Sequence, residues 1–323
     1  MDDQLSLLSF NVNGLAGKIK RCSVFERLKK HKCILFLQET HSSINTEHIW
    51  RAEWGSDIIF CHGQTNSKGV AIMLPSNLSY NINETVKDKD GRFIMLDIDI
   101  DDINYILVNV YAPTRDHKKE QITFIDYVKE QVTQHSEKNM ILAGDYNFYH
   151  DKKLDKQSSM PDIHDNTEYR TQIDSLLEAL SLQDPWRVQN PNVRRYTWHS
   201  RGKASRLDYC FLSEHLLNTI GKCEILPGIQ SDHSILSIKL NQVKNLCRGR
   251  GLWKFNNDLL HDHVYVQEIK NIIAENKKKY ADAVNKSLRF EILKMEIRSF
   301  TRPYCTKKKK NRQELKASLE KKR

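Results

Sequence analysis

The chain of 323 residues has no apolar run approaching the roughly 18 residues that a membrane-spanning helix needs. A membrane partner is therefore not expected. Its start, Met1-Asp2-Asp3-Gln4, is acidic and passes directly into Leu5-Ser6-Leu7-Leu8. A secretory signal would open with basic residues and a longer apolar stretch. The seven cysteines (Cys22, Cys33, Cys61, Cys210, Cys223, Cys247 and Cys305) contain no C-x-x-C pair. Scattered and odd in number, they suit neither a disulfide framework nor a zinc site, and they fit a reducing compartment. These absences fit an intracellular protein, and the expected compartments are nucleus and cytoplasm. Also missing are G-x-x-x-x-G-K-[ST], G-x-G-x-x-G, H-E-x-x-H and G-x-S-x-G. P-loop nucleotide hydrolysis, dinucleotide redox chemistry and serine hydrolysis lose their sequence support. There is no internal repeat.

What is present is a foldable body and a basic end. The hydrophobic fraction is 39%, enough for a sizeable core. The net charge of +10 is uneven: residues 294–323 hold 12 Lys/Arg against 3 Asp/Glu, and the rest of the chain holds 39 against 38. A tail of that kind favours a polyanion through counterion release. RNA is one candidate, and a solvated helix face is the plainer alternative.

Residues 1–240 read as alternating strands and helices. Strands are predicted over 5–10, 33–37, 57–61, 69–74, 92–100, 103–110, 139–143, 205–212 and 233–240. Runs such as Ile106-Leu107-Val108-Asn109-Val110 carry the pattern of strands buried on both faces. Asp101-Asp102 is a turn-favouring pair between two strands. Helical periodicity covers 18–30, 116–135 and 167–181, the last with a core stripe of Ile173, Leu176, Leu177 and Leu180. Hairpins mixed with crossovers predict an α/β fold, two packed mixed sheets flanked by helices in a four-layer sandwich. Composition then shifts. Arg248-Gly249-Arg250-Gly251 marks a linker over 241–257, and 258–323 reads as a helical basic extension. Pro303 is expected to break or kink its last helix. The extension ends without a helix stop signal and is expected to be part of something longer, or to pack on something else.

Five short polar motifs follow or precede apolar runs, where strand ends meet. They are Ser9-Phe10-Asn11-Val12-Asn13-Gly14, Leu37-Gln38-Glu39-Thr40-His41, Gly144-Asp145-Tyr146-Asn147, Arg206-Leu207-Asp208-Tyr209 and Ser231-Asp232-His233. Glu39 offers carboxylate oxygen to a hard cation, or else caps a helix. Asp145 and Asn147 would point to one side if the strand continued, the acid taking a proton from water and the amide binding a phosphoryl oxygen. The alternative is an Asx turn. Asp208 would hold His233 in one tautomer. Tyr111 closes a strand and could reach a phosphate, or be a half-buried aromatic.

In this order the motifs resemble the endonuclease/exonuclease/phosphatase superfamily over residues 5–240. They resemble most the apurinic-type endonuclease domain of LINE-type (non-LTR) retrotransposon polyproteins. That likeness is carried by His41 after Glu39, by Asp184-Pro185-Trp186-Arg187 with Tyr196-Thr197-Trp198, and by Gly251-Leu252-Trp253-Lys254-Phe255-Asn256-Asn257. The resemblance implies a DNA endonuclease that nicks duplex DNA with Mg²⁺, or Mn²⁺ in its place. The 3′-hydroxyl left behind would prime reverse transcription by the rest of the polyprotein. An abasic-site repair endonuclease and an inactive nucleic-acid-binding relative are the alternatives. The resemblance assigns the metal to Glu39 and Asp232, with Asn11 in support. Asp145 would activate water, Asn147, Tyr111 and His233 would hold the scissile phosphate, and Asp208 would orient His233. Asn13 stands where repair relatives commonly carry Asp. Trp198, Thr197 and His41 would lie at the DNA. Arg201 and Lys203, on the basic stretch His199 to Arg206, would probe a groove, since a narrow minor groove attracts cations.

Overall fold

The computed structural model describes residues 4–64, 67–157, 166–241, 255, 257–281 and 286–320. Most of the expected linker, including Arg248 to Gly251, and most of the segment around Trp253 lie outside the described residues.

In chain order the strands are β1 (Gln4–Asn11), β2 (Ile34–Gln38), β3 (Ile58–Cys61), β4 (Val70–Met73), β5 (Tyr80–Lys87), β6 (Phe93–Ile100), β7 (Ile103–Tyr111), β8 (Asn139–Asp145), β9 (Lys156–Gln157), β10 (Leu182–Gln183), β11 (Trp198–Ser200), β12 (Lys203–Ser205), β13 (Asp208–Ser213), β14 (Ile220–Leu226) and β15 (Ile235–Asn241). The helices are α1 (Lys18–Lys29), α2 (Glu47–Trp54), α3 (Lys118–Thr133), α4 (Thr167–Ala179), α5 (Pro185–Gln189), α6 (Glu214–Leu217), α7 (His263–Lys279) and α8 (Lys286–Glu320).

Two six-stranded sheets form, in the orders β14-β15-β1-β2-β4-β3 and β10-β13-β8-β7-β6-β5. Both are mixed, with β1 parallel to β2 and β7 parallel to β8 among antiparallel neighbours. The strands with continuous apolar runs are the central ones. In β2, Ile34 and Phe36 enter the core between the sheets, while Leu35 and Leu37 face α1 and α2 on the other side. In β8, Ile141 and Ala143 face inward between the sheets, and Met140 and Leu142 face α3 and α4. Period-two alternation with both faces apolar thus yields the expected four layers, helix, sheet, sheet, helix.

Each expected strand is found, with one change of shape. The 205–212 run divides into β12 and β13 around Arg206, whose side chain turns into a buried ion-pair site. The unexpected longer strands β5 and β14 lie at the sheet edges. The Asp101-Asp102 turn is present, both residues having positive φ (49° and 64°), the shape a tight hairpin takes.

The extension does not stand apart. Tyr280, Ile292 and Met295 join the core cluster of Phe25, Trp50 and Trp54 on α1 and α2. Arg302 Nη2 donates to Gly55 O at 2.8 Å, at the C-terminal end of α2, where a helix favours cations. Pro303 lies inside α8 rather than ending it. A proline removes one helical hydrogen bond, and here Phe300 and Tyr304, on either side of it, both pack on Tyr265 of α7. Among the described residues, no helix is long and apolar enough to cross a membrane.

Candidate active site

The polar motifs converge because of strand direction. The parallel pairs bring the ends of β1, β2, β7 and β8 to one edge of the sandwich. β13 runs antiparallel to β8 and β15 antiparallel to β1, so their starts arrive at the same edge. Asp145 sits in register with Tyr111 on one side and Asp208 on the other. The backbone is bent sharply around this edge. Asn13, Glu39, His41 and Asn147 all adopt positive φ, between 46° and 51°. Such conformations are uncommon for residues other than glycine and collect at functional sites. Gly144 permits a close approach of two strands: a Cβ there would lie 2.0 Å from Val110 O.

A row of polar side chains runs through the site. Asn11, fully buried, uses Nδ2 to hold Glu39 Oε1 at 2.8 Å and Asp145 Oδ2 at 3.0 Å. The row continues to His233, whose Nε2 lies 3.9 Å from Asp145 Oδ2 and whose Nδ1 lies 2.9 Å from Asp208 Oδ2. Beside it, Asp232 accepts from Asn13 Nδ2 at 3.0 Å and from Trp198 Nε1 at 2.9 Å. Burial alone favours neutral His233. The charge and hydrogen bond of Asp208, aided by Asp145 and Asp232, outweigh it and raise the imidazole pKa. Burial, then the charge of Asp208, pushes the Asp145 carboxyl up, against the pull of His233. Burial, then Glu39 and Asp145, pushes the Tyr111 phenol up, which keeps it a hydrogen-bond donor.

These groups line a cavity of about 530 Å³. Asn13, Glu39, Tyr111, Asp145, Asn147, Trp198, Lys203, Asp232 and His233 face it, while the buried Asn11 and Asp208 stand behind its wall. Arg115 and Lys156 also line it and were not expected. Arg115 does follow Tyr111-Ala112-Pro113-Thr114 directly, which is the signal that could have found it.

Some placements differ from the sequence-based expectation. Strand geometry does not persist past Asp145. Its Oδ1 accepts from Asn147 N at 2.9 Å, an Asx turn, and Asn147 Nδ2 reaches Ala112 O at 2.9 Å. Thr197, expected at the DNA, is fully buried, and its hydroxyl accepts from Leu207 N and Asp208 N. It shapes the start of β13 and is closed to solvent. His41 packs its ring beside Gly14, off the cavity wall. Arg201 is at the exposed tip of the β11–β12 hairpin, and Lys203 is on its return strand. Arg206 does not extend that basic tip. It is buried, with Nε 2.8 Å from Asp155 Oδ1 and Nη1 paired to Asp184.

The donor set facing the cavity suits a hard divalent cation. The carboxylates of Glu39 and Asp145 share one amide, and they offer oxygen with neither sulfur nor imidazole between them. Asp232 stands nearby with both oxygens already engaged. Asp145, Asp208 and His233 also present ligand atoms within 4.8 Å of one another. The direct Asp208–His233 bond makes that trio better suited to hold a proton than a metal.

Comparison with known proteins agrees with the fold. The model described as "Endonuclease/Exonuclease/phosphatase family" matches residues 8–233. The 149 kDa protein of transposon TX1 from Xenopus laevis is 27% identical over 273 residues, covering 83% of this chain and 20% of the relative. The chain thus spans about a fifth of that relative's length. The AP endonuclease LMAP from Leishmania major superposes with a TM-score of 0.64 at 17% identity, covering 74% of this chain and 88% of its own. The catalytic domain of Xenopus laevis APE2 gives 0.62 at 18%, covering 77% and 94%. An AP endonuclease from Archaeoglobus fulgidus gives 0.59 at 23%, covering 74% and 100%. At these identities the structural likeness speaks for the fold.

Proposed function

This chain belongs to the endonuclease/exonuclease/phosphatase family, and on that premise we propose that it nicks duplex DNA by metal-dependent phosphodiester hydrolysis. The observation that carries the proposal is the row from Asp208 through His233, Asp145 and Asn11 to Glu39 along one cavity wall. Asp145 is fixed through both oxygens, by Asn147 N and by Asn11 Nδ2, so it can orient water for in-line attack. His233, held by Asp208, directs Nε2 toward Asp145 across a gap too long for a direct bond, where a phosphoryl oxygen can accept from it. The Asn147 amide has a second N–H beyond the one given to Ala112 O. Glu39, with Asn11 and Asp232 close by, would hold Mg²⁺ or Mn²⁺. When bound, the cation supplies neutralisation of the charge developing on the phosphate.

The match to a transposon protein of which this chain covers a fifth supports a place within a longer retrotransposon polypeptide. The 3′-hydroxyl at the nick would then prime reverse transcription, with the basic tail as a contact for RNA, inside the nucleus after synthesis in the cytoplasm. The test is nicking of supercoiled plasmid in Mg²⁺, in Mn²⁺ and in EDTA, with Asp145→Ala and His233→Ala. Nicking should require the cation and fall about 10²- to 10⁴-fold in His233→Ala. Nicking that survives both substitutions would sink the proposal. A duplex with one abasic site, cut in strong preference to plasmid, would move the substrate to DNA repair.

A further inference from the structure

A second cavity, of about 750 Å³, lies directly behind the active-site wall. The two share the segment after β7: Tyr111 and Thr114 face the first, Pro113 the second. Arg92 completes the partition, its guanidinium 5.0 Å from the Tyr111 ring and its Nη1 donating to Tyr111 O. The second cavity has an apolar floor of Pro113, Phe124 and Tyr127 and a basic rim of Lys68, Lys87, Lys89 and Lys119. Among the described residues, none of these four lysines forms an ion pair. The acids on the rim are partly engaged within the fold. Asp88 Oδ1 accepts from Arg92 N and Phe93 N, Glu120 Oε1 lies 3.3 Å from His117 Nδ1, and the exposed Asp90 shares the rim, so lysines outnumber acids there by four to three. Next to Arg92, a Cβ on Gly91 would meet Gly63 N at 2.3 Å, so these two loops are pressed together.

From this we infer that the second cavity binds an unpaired nucleotide of a nucleic-acid strand that emerges from the active cleft. The inference rests on the proposed reading of the active site. Duplex DNA is too wide to enter such a cavity, and its base faces are covered by stacking. An unpaired base offers a bare apolar face to the floor, while its phosphates meet the lysines. This pairing of an aromatic platform with cations is how single strands are held without regard to sequence. The strand is either DNA loosened at the nick or RNA brought to it, since both carry the same base face and phosphate.

The test is fluorescence anisotropy on the full chain in EDTA, where no cleavage occurs. A nicked duplex is compared with the same duplex bearing a short unpaired flap at the nick, made of DNA or of RNA, on either side. The flap should tighten binding about ten-fold. The triple substitution Lys87→Gln, Lys89→Gln, Lys119→Gln, all at exposed positions, should remove that gain and flatten the salt dependence of flap binding. A gain with DNA flaps only assigns the site to the displaced strand, and a gain with RNA flaps only assigns it to a template. No gain in the unaltered protein overturns the inference. So does equal weakening of flapped and flapless duplex in the variant, which would make the lysines part of a general duplex track. Competition by poly-glutamate as strong as by a single-stranded oligonucleotide would also overturn it, because charge alone would then suffice. If plasmid nicking fails while the flap gain persists, the nuclease reading falls and this one stands.

Discussion

Asn109 is the residue whose replacement should do most damage for its size. It lies on β7 in one sheet, fully buried, and its amide crosses to the other sheet. Nδ2 donates to Leu37 O at 3.0 Å and to Ala71 O at 2.9 Å, and Oδ1 accepts from Gln38 Nε2 at 2.7 Å. Gln38 immediately precedes Glu39, so this staple also steadies the edge that carries the site. Asn109→Ala removes three buried hydrogen bonds, worth about 1 kcal/mol each, and leaves a void worth about 1 kcal/mol more. The expected loss is therefore about 4 kcal/mol. Asn109→Asp separates the two causes. It keeps the volume but sets acceptor against acceptor at Leu37 O and Ala71 O. Hydrogen-bond reasoning predicts a loss at least as large, and cavity reasoning predicts almost none. Urea unfolding followed by fluorescence of the buried Trp50, Trp54 and Trp186 measures both. An Asp variant near the parent stability, or an Ala variant losing under about 1 kcal/mol, would refute the account.

Arg206→Met should cost about 3–5 kcal/mol, because it strips the main partner from the fully buried Asp155. Burial pushes Asp155 up, but the Arg206 bond outweighs it and holds the carboxyl below its ordinary 3.8. That stabilisation is complete above 3.8 and is lost as pH falls through the lower folded value, so urea stability measured down the acid limb should decline less in the variant. An equal decline in both proteins would refute the assignment. Arg201→Ala with Lys203→Ala should move nick positions on a mapped plasmid more than it slows nicking, and an unchanged pattern would count against a groove-reading hairpin. Ile292→Ala with Met295→Ala should each lower stability by about 2–5 kcal/mol if α8 is part of the core on α1 and α2. No change would mean that the extension folds apart from it.

What could be read from sequence follows from how much water each element meets. Central strands such as β2 and β8 are apolar on both faces and stand out as runs. The edge strands β5 and β14 have solvent along one side and mix Asn, Glu, Thr and Lys into their lengths, so no run marks them. Helix α2 carries no long apolar stripe in its eight residues, only Trp50 and Trp54 one turn apart before Gly55. At the site, Asn11, Glu39, Asp145, Asp208 and His233 were visible because each sits beside a run. Thr197, Arg206 and Asn109 resemble ordinary surface or strand residues until their partners, distant in sequence, are known.

By itself the sequence determined the strand and helix alternation, the separation of a near-neutral body from a basic tail, and the set of polar residues gathered at strand ends. These are properties of local pattern, and pattern is written in neighbouring residues. Tertiary structure alone decided three things. Asn147 anchors its side-chain amide on Ala112 O, Pro303 rides inside a docked helix, and the wall behind Tyr111 opens into a second, lysine-rimmed cavity. Each depends on contacts between segments far apart in the chain, where packing and hydrogen-bond partners override local preference.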